Sequence, residues 1–264
     1  MDLTAVQMVL WGWSAMALLQ LGLYFIQRAR RDAGIVDAGW AFGLAVLALW
    51  YAWNGSGDPS RRVLVALLGG VWGLRLSAYL ILDRVLPPGE DGRYQMLRER
   101  WGDRAQLWFF FFFQVQAFWS VLFSVPFLVV VSNASPLGPW DILGTVIWLM
   151  AVVGESMADR QLARWKSRPE NRGKTCREGL WRLSRHPNYF FEWIHWWAYV
   201  CLSVGTPWVW AALAGPVVML LFLYKITGIP YTEARALSSR GEDYARYQRS
   251  TSAFVPWFPR KESP

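Results

Sequence analysis

The sequence WFFFFFQVQAFWSVLFSVPFLVVV, at Trp108–Val131, is apolar almost throughout and indicates the class of the fold. About 20 such residues are enough for a helix to cross the ~30 Å hydrocarbon core of a bilayer. The composition agrees, because 54% of the 264 residues are hydrophobic and 17% are charged, against about a quarter charged in soluble domains. We therefore predict an integral membrane protein and exclude a soluble two-layer domain, a disordered chain and a disulfide scaffold.

Seven apolar blocks of this kind follow one another along the chain. They are Leu3–Ile26, Gly34–Trp53, Val63–Leu82, Trp108–Val131, Trp140–Met157, Tyr189–Val204 and Trp208–Tyr224. The first four are long enough to cross a bilayer, whereas the last three are shorter or contain ionisable residues. The first block is too long for a cleavable signal, so we expect it to remain as a helix. The sequence predicts one all-α transmembrane domain over residues 1–264, a bundle of about seven helices.

The basic residues lie almost entirely on one side of these blocks. Of the 27 Lys and Arg residues, 24 lie in segments that successive crossings place on one face, and Arg61 and Arg62 lie on the other. Because cytoplasmic loops carry the excess of Lys and Arg, we expect the N-terminus outside and the C-terminus in the cytoplasm. A basic membrane face also accounts for the net charge of +8, without a nucleic-acid partner.

Ionisable residues also lie inside the apolar blocks, where each costs a few kcal/mol and usually meets a partner or a wet cavity. They are Asp37, Arg75, Glu155, Asp159, Glu192 and His195. Asp37 and Arg75 fall on adjacent helices and form either a structural ion pair or part of a polar binding site. Glu155 and Asp159 are one turn apart and either face solvent at a helix end or serve the function. With two Cys and two His in the chain, no metal site is expected.

The densest group of polar residues is DRQLARWKSRPENRGKTCREGLWRLSRHPNYFFEWIHWW, at Asp159–Trp197. It combines nine cations with Asn, Glu, His and aromatic residues at a point where a loop re-enters the membrane. Cations bind phosphates, amides and carboxylates bind ribose or carboxamide groups, and aromatic rings stack on flat bases. This inventory favours a large anionic cofactor with planar bases at the cytoplasmic mouth of a helix bundle. The alternative is a basic loop that binds lipid headgroups.

Motifs in five places point to a known family. They are VDAGWAFG at Val36–Gly43, WGLRL at Trp72–Leu76, GEDGRY at Gly89–Tyr94, GLWRLSRHPNYFFEWIHWW at Gly179–Trp197 and GIPYTEARALSSRGEDYARYQRSTSAFVPWFPRK at Gly228–Lys261. Together they resemble the membrane reductases related to steroid 5-alpha-reductase, and especially a bacterial branch of that superfamily. The Arg-His-Pro-x-Tyr core is shared with sterol C14-reductases and with isoprenylcysteine and phospholipid methyltransferases, of which the last two bind S-adenosylmethionine.

The resemblance implies a seven-helix bundle that binds NADPH from the cytoplasmic side and transfers a hydride to a carbon–carbon double bond of a lipid-like enone. It places the cofactor-binding core at residues 108–264, with a cytoplasmic loop at 159–187 and a tail at 228–264. We further expect a monomer in a bacterial inner membrane, with contacts to membrane lipids and its active site facing the cytoplasm. The expected substrate is a hydrophobic small molecule that enters from the bilayer.

The resemblance also implies which residues bind the cofactor. Asn188 and Glu192 would hold the nicotinamide carboxamide and ribose, with Tyr189 and Trp196 packed beside them. The other implied contacts are Lys166 and Lys174 to phosphates, Arg75 to the pyrophosphate, Asp159 to ribose or adenine, Arg172, Arg185 and His186 from the branch's own motif, and Glu233 near a position that is His in the steroid enzymes.

The residues that would bind the substrate ketone depart from those of the steroid enzymes. Those enzymes use a Glu in span two and a Tyr in span three, where this chain has Asp37 and Trp72. An indole only donates a hydrogen bond, and Tyr79, the nearest phenol, lies toward the opposite end of its helix. Asp37, Trp72 and Tyr79 are the candidate catalytic residues, and we expect a substrate other than a 3-oxo steroid. The alternatives are a membrane methyltransferase of a lipid or isoprenylated thiol, which uses S-adenosylmethionine, and a non-enzymatic lipid-binding protein.

Overall fold

The chain is helical in the residues that the structure, a computed structural model, describes, namely 3–226 and 228–260. No β-strand occurs within these ranges. Six helical segments are long and apolar enough to cross a membrane: Ala5–Arg30, Ile35–Asn54, Pro59–Val85, Gly92–Val131, Pro139–Lys166 and Val209–Arg240. The predicted class, an all-α integral membrane protein, is confirmed.

Local sequence signals set the ends of several helices. The helices are α1 Ala5–Arg30, α2 Ile35–Asn54, α3 Pro59–Leu80, α4 Gly92–Trp101, α5 Ala105–Val131, α6 Pro139–Lys166, α7 Pro187–Leu202, α8 Val209–Ala212, α9 Ala214–Leu221, α10 Ile229–Arg240 and α11 Glu242–Ser250. Thr4 precedes α1 and forms a capping box with Gln7. The Thr4 side chain accepts a hydrogen bond from the backbone N–H of Gln7, and the Gln7 side chain accepts one from the backbone N–H of Thr4. Asp58 caps α3, directly before Pro59, and its side chain accepts hydrogen bonds from the backbone N–H groups of Ser60 and Arg61. Such caps pair N–H groups that a first helical turn leaves without partners.

The first compact unit, called unit 1, comprises Met1–Gly138 and Ser203–Gly215. It contains α1 to α5 and α8, and glycines on α2 and α3 let its helices pack closely. A Cβ at Gly73 would lie 2.8 Å from the carbonyl oxygen of Ala41, and a Cβ at Gly43 would lie 2.6 Å from the sulfur of Met16. A side chain at either position would clash with its neighbour, which is the reason why small residues are common where membrane helices meet.

The second compact unit, called unit 2, comprises Pro139–Leu202 and Pro216–Pro264. It begins at Pro139, whereas the predicted cofactor-binding core begins at residue 108, within α5 of unit 1. Helices α6 and α7 run antiparallel, because Gly144 faces the carbonyl oxygen of Ala198 and Gly154 faces the ring of Phe191.

The sixth predicted block forms α7, which has 16 residues and is about 24 Å long at ~1.5 Å per residue. It is therefore shorter than the six segments named above. The structure thus has six candidate spans among its described residues, against the predicted number of about seven, and α7 packs against α6. A crossing by α7 and the orientation of the two termini stay predictions.

Apolar side chains also cover outward-facing surfaces of the long helices. Leu18 on α1, Leu67 on α3 and Val153 on α6 are 69%, 57% and 60% exposed, whereas the larger Trp72 and Trp196 are fully buried. Contiguous apolar exposure of this kind is unfavourable in water and is normal for a surface that contacts lipid chains. The exposed faces thus agree with the membrane assignment.

Candidate functional site

The loop that follows α6 surrounds a cavity of about 260 Å³, which we call the basic pocket. Its described lining includes no acidic residue. Five cations line it: Lys166 at the end of α6, Arg168, Arg172 and Lys174 from the loop, and Arg240 from α10. The pocket thus brings together the predicted residues Lys166, Arg172 and Lys174. The sequence did not single out Arg168 or Arg240 as members.

Hydrogen bonds hold this loop in place. The side chain of Asn171 donates to the Trp165 carbonyl at 3.1 Å, and the backbone N–H of Thr175 donates to Asp243 on α11 at 2.7 Å. Arg177 also pairs with Asp243, at 3.0 Å. Burial alone would raise the pKa of Asp243, but the hydrogen bonds from Thr175 and the charge of Arg177 lower the pKa below its usual value. The cations of the basic pocket therefore lie on a loop anchored to α11.

A polar stripe runs along one face of α7. Asn188, Glu192 and Trp196 are spaced by four residues and so lie above one another on the helix. The side-chain amide of Asn188 donates to Asp159 on α6 at 3.3 Å. The indole N–H of Trp196 donates to the carboxylate of Glu192 at 3.3 Å. Glu192 is buried, with 8% of its surface exposed. Four of the predicted cofactor residues thus lie on neighbouring parts of α6 and α7.

The predicted residues Arg185, His186 and Glu233 also meet. Arg185 Nε donates to Glu233 Oε1 at 2.6 Å, and His186 Nε2 lies 3.2 Å from the same oxygen. The ring of His186 stacks on that of Tyr189, with centroids 5.3 Å apart and planes 7° apart. Because Arg185 also donates to the carbonyls of Gln248 and Thr251, this cluster fixes the start of α7 against the C-terminal segment.

Asp37, in unit 1, lies in a cluster of its own. Its carboxylate pairs with Arg84, accepts from Arg93 Nη2 at 2.7 Å, and accepts from the hydroxyl of Tyr94 at 2.7 Å. The Asp37 side chain is 18% exposed and those of Arg84 and Arg93 are 24% and 21% exposed. We call these four residues the Asp37 cluster.

The other candidate catalytic residues lie on α3, in unit 1. Trp72 is fully buried, with its ring edge-to-face on Trp40 at a centroid distance of 6.3 Å. Tyr79 packs against an apolar cluster that includes Leu80. Arg75, which is predicted to contact the pyrophosphate, also lies on α3 and is half-buried.

The phenol that contacts Asp37 is Tyr94, and not the predicted Tyr79. The sequence did not predict Arg84 or Arg93 as partners of Asp37. The sequence feature that points to these residues is the motif GEDGRY at Gly89–Tyr94, because its last two residues, Arg93 and Tyr94, belong to the Asp37 cluster.

One family model matches the chain, over residues 23–251, and its description is "Protein of unknown function (DUF1295)". The matched range includes the basic pocket, the polar stripe of α7 and the Asp37 cluster. No curated protein and no solved structure matches the chain.

Proposed function

We propose, since the chain belongs to the family of membrane proteins described as "Protein of unknown function (DUF1295)", that it is an NADPH-dependent membrane oxidoreductase. The proposed reaction is the reduction of a carbon–carbon double bond in a lipid-like enone. The resemblance of the motifs to the steroid 5-alpha-reductase superfamily supports this reaction class. The residue types in the basic pocket, along α7 and around Asp37 also support it, because they can bind phosphates, hold ribose and carboxamide groups, and donate a hydrogen bond.

The observation that carries the proposal is the basic pocket. Five cations line one cavity with no acidic residue in its described lining. Arg168 pairs with Glu178 at 3.2 Å on an exposed surface, and the other four repel one another unless an anion compensates them. The 2′-phosphate of NADPH adds about two negative charges near neutral pH, and Lys and Arg bind such groups through charge-assisted hydrogen bonds. The indole of Trp165 lines the same cavity and offers a flat surface to an adenine. The donor set therefore fits the phosphate end of NADPH.

The polar stripe of α7 supplies the groups for the other end of the cofactor. Because the amide nitrogen of Asn188 donates to Asp159, its oxygen is the atom oriented to accept from a carboxamide. Glu192 can accept hydrogen bonds from ribose hydroxyls, and Trp196 fixes the position of its carboxylate. Bound NADPH would supply the hydride, and these side chains would orient and hold it.

The Asp37 cluster supplies a candidate proton donor for the enone oxygen. The hydroxyl of Tyr94 donates to Asp37, so its proton already lies in a hydrogen bond whose acceptor is held by Arg84 and Arg93. A phenol can stabilise the negative charge that develops on an enone oxygen as hydride arrives, once its O–H turns from Asp37 to that oxygen. Unlike the indole of Trp72, which only donates, the hydroxyl of Tyr94 both donates and accepts hydrogen bonds and so can pass on a proton.

The methyltransferase alternative needs fewer phosphate-binding cations than line the basic pocket, because S-adenosylmethionine carries no phosphate. A lipid-binding protein without enzymatic activity does not explain why Asn188 and Glu192 lie within an apolar block. We therefore retain both alternatives only as outcomes of the tests.

Equilibrium binding of NADPH to variants of the α7 stripe tests the proposal. We expect Asn188→Ala and Glu192→Ala to abolish measurable binding while the protein stays folded, because each removes a polar contact that the cofactor needs. Asn54→Ala and Glu99→Ala make the same truncations in unit 1 and should bind NADPH like the unmodified chain. Full affinity in either α7 variant would show that the stripe does not bind the cofactor.

A further inference from the structure

The segment that follows α11 folds back onto the ends of the membrane helices. The ring of Phe254, which is 5% exposed, packs against Phe190 and Trp193 of α7 with centroids 5.6 and 5.7 Å away. It also packs against Tyr224, at 5.4 Å. Phe190 lies at the start of the sixth apolar block and Tyr224 ends the seventh. Phe254 therefore lies at the level where these apolar blocks end, which is the surface of the bilayer.

Backbone hydrogen bonds give the segment 252–260 a defined course. The N–H of Trp257 donates to the carbonyl of Leu183 at 2.9 Å, and the N–H of Arg260 donates to the carbonyl of Ser250 at 2.8 Å. The side chains of the segment are thus presented in fixed directions.

Three large apolar side chains of this segment point outward. Val255, Trp257 and Phe258 are 53%, 70% and 79% exposed. Three such residues within four positions are unfavourable in water, and aromatic residues of this kind are enriched where a protein meets the headgroup layer of a membrane. Their position beside Phe254 places them at that layer.

A cavity of about 470 Å³ lies beside these side chains, and it is cationic. Arg185, Arg249 and Arg260 line it together with hydroxyl residues and the two exposed aromatic residues, and its described lining holds no acidic residue. The charge of Arg185 is balanced by Glu233, as described above. Arg249 pairs with Glu242 at 2.6 Å on an exposed surface, where a competing anion exchanges readily. Guanidinium groups at the edge of an apolar patch are complementary to a phosphate that carries acyl chains.

We propose that this cavity binds the phosphate group of an anionic phospholipid, with Trp257 and Phe258 inserted beside the glycerol and acyl chains of the lipid. Anionic lipids are attracted to basic segments next to membrane helices. A soluble phosphate compound would use the guanidinium groups but leave both aromatic side chains in water. The site depends on the chain spanning a membrane. It shares Arg185 with the residues that the resemblance assigns to NADPH, but its argument uses no other part of the reductase proposal.

Native mass spectrometry of the detergent-purified protein, with added phosphatidylglycerol or phosphatidylcholine of the same acyl chains, tests the site. The unmodified chain should retain phosphatidylglycerol in preference to phosphatidylcholine. Arg249→Gln with Arg260→Gln should lower retained phosphatidylglycerol about tenfold, because each basic residue near an anionic lipid contributes to the binding free energy. Arg100→Gln with Arg104→Gln removes the same charge from exposed positions of unit 1 and should change retention less than about twofold. Equal retention in the two double variants, or no preference between the lipids, would overturn the proposal.

Competition distinguishes a lipid from a soluble phosphate. Millimolar inorganic phosphate or NADPH should leave the phosphatidylglycerol adduct in place, and complete displacement by either one would overturn the proposal. In vesicles whose acyl chains carry bromine, tryptophan fluorescence should contain a quenched component that Trp257→Leu lacks. Identical quenching in that variant would place Trp257 in water and would also contradict the proposal.

Discussion

The basic pocket of unit 2 and the Asp37 cluster of unit 1 differ in how their charges are balanced. In unit 1 the carboxylates face arginines, because Asp37 contacts Arg84 and Arg93. In the basic pocket, five cations surround one cavity with no acidic residue in its described lining. Balanced charges stabilise a fold or hold a group in position, whereas a concentration of one sign costs free energy until an anion binds. The difference supports the proposal that the pocket binds an anion and that the cluster positions a hydrogen-bond donor.

The largest effect is expected on turnover, from Tyr94→Phe. General acid groups contribute about 10²–10⁴-fold to a rate, so this variant should lose turnover on that scale while it binds NADPH unchanged. The measurement is NADPH oxidation in single turnover with a panel of hydrophobic enones. Tyr24→Phe makes the same change in unit 1 and should keep its activity. Full activity in Tyr94→Phe would give the hydroxyl a purely structural role.

Removal of the carboxylate from the cluster should cost stability. Asp37→Ala removes the carboxylate that Arg84 and Arg93 share and the acceptor of the Tyr94 hydroxyl, and it leaves Arg93 with Asp91, at 3.1 Å. This change should lower the free energy of unfolding by about 3 kcal/mol. The side chains of Asp37, Arg84 and Arg93 keep about a fifth of their surface exposed, so the cost lies at the low end for an ion pair of this kind. Unfolding of the purified protein in detergent measures it. A loss below about 0.5 kcal/mol, the usual effect of a surface substitution, would show that the ion pairs of Asp37 do not stabilise the fold.

Removal of cations from the basic pocket should cost affinity instead of stability. Lys166→Gln with Lys174→Gln should weaken NADPH binding about 100-fold, since each charge-assisted hydrogen bond contributes about 1.5–3 kcal/mol. NADH, which lacks the 2′-phosphate, should lose less affinity, and the unfolding free energy without ligand should not fall. Arg160→Gln with Arg164→Gln removes equal charge from exposed positions of α6 and serves as the control. Equal losses in the two double variants would reduce the pocket to a nonspecific basic surface.

The smallest effect is expected from Asp243, which anchors the loop of the basic pocket. Because its contacts lower the pKa of Asp243 in the folded protein, the stabilisation is present above the usual pKa of 3.8 and is lost as the pH falls through the lowered value. Asp243→Asn should therefore reduce the unfolding free energy by about 0.5 kcal/mol between pH 5 and pH 8. The difference from the unmodified chain should disappear in more acidic solution. A stability difference between the two proteins that grows below pH 4 would contradict a lowered pKa of Asp243 in the folded state.

Hydropathy was sufficient to predict the long apolar helices, because lipid contact requires long apolar runs. It did not predict α4, α10 and α11, which lie outside the apolar blocks. The predicted block Trp108–Val131 lies inside α5, and most of Tyr189–Val204 lies in α7. The number of crossings was less accessible, since α7 is short and its place depends on packing against α6. The division into two units also could not be predicted, because one long apolar helix ends before Pro139 and another begins at it, with no change in hydropathy to separate them.

Contacts between distant parts of the chain were not predictable from spacing. Asp37 meets Arg84 and Arg93 across 47 and 56 positions, and Arg240 joins the basic pocket from α10. No local pattern encodes such a register. By contrast, the members of the polar stripe of α7 were accessible, because Asn188 and Glu192 are four residues apart on one helix.

Thermal unfolding of the detergent-purified protein with three ligands decides whether the chain binds a phosphorylated dinucleotide. NADPH at 100 times its dissociation constant should raise the unfolding free energy by about 2.7 kcal/mol. NADH at the same concentration should raise it less, and S-adenosylmethionine should have no effect. Stabilisation by S-adenosylmethionine and none by NADPH would contradict the reductase proposal.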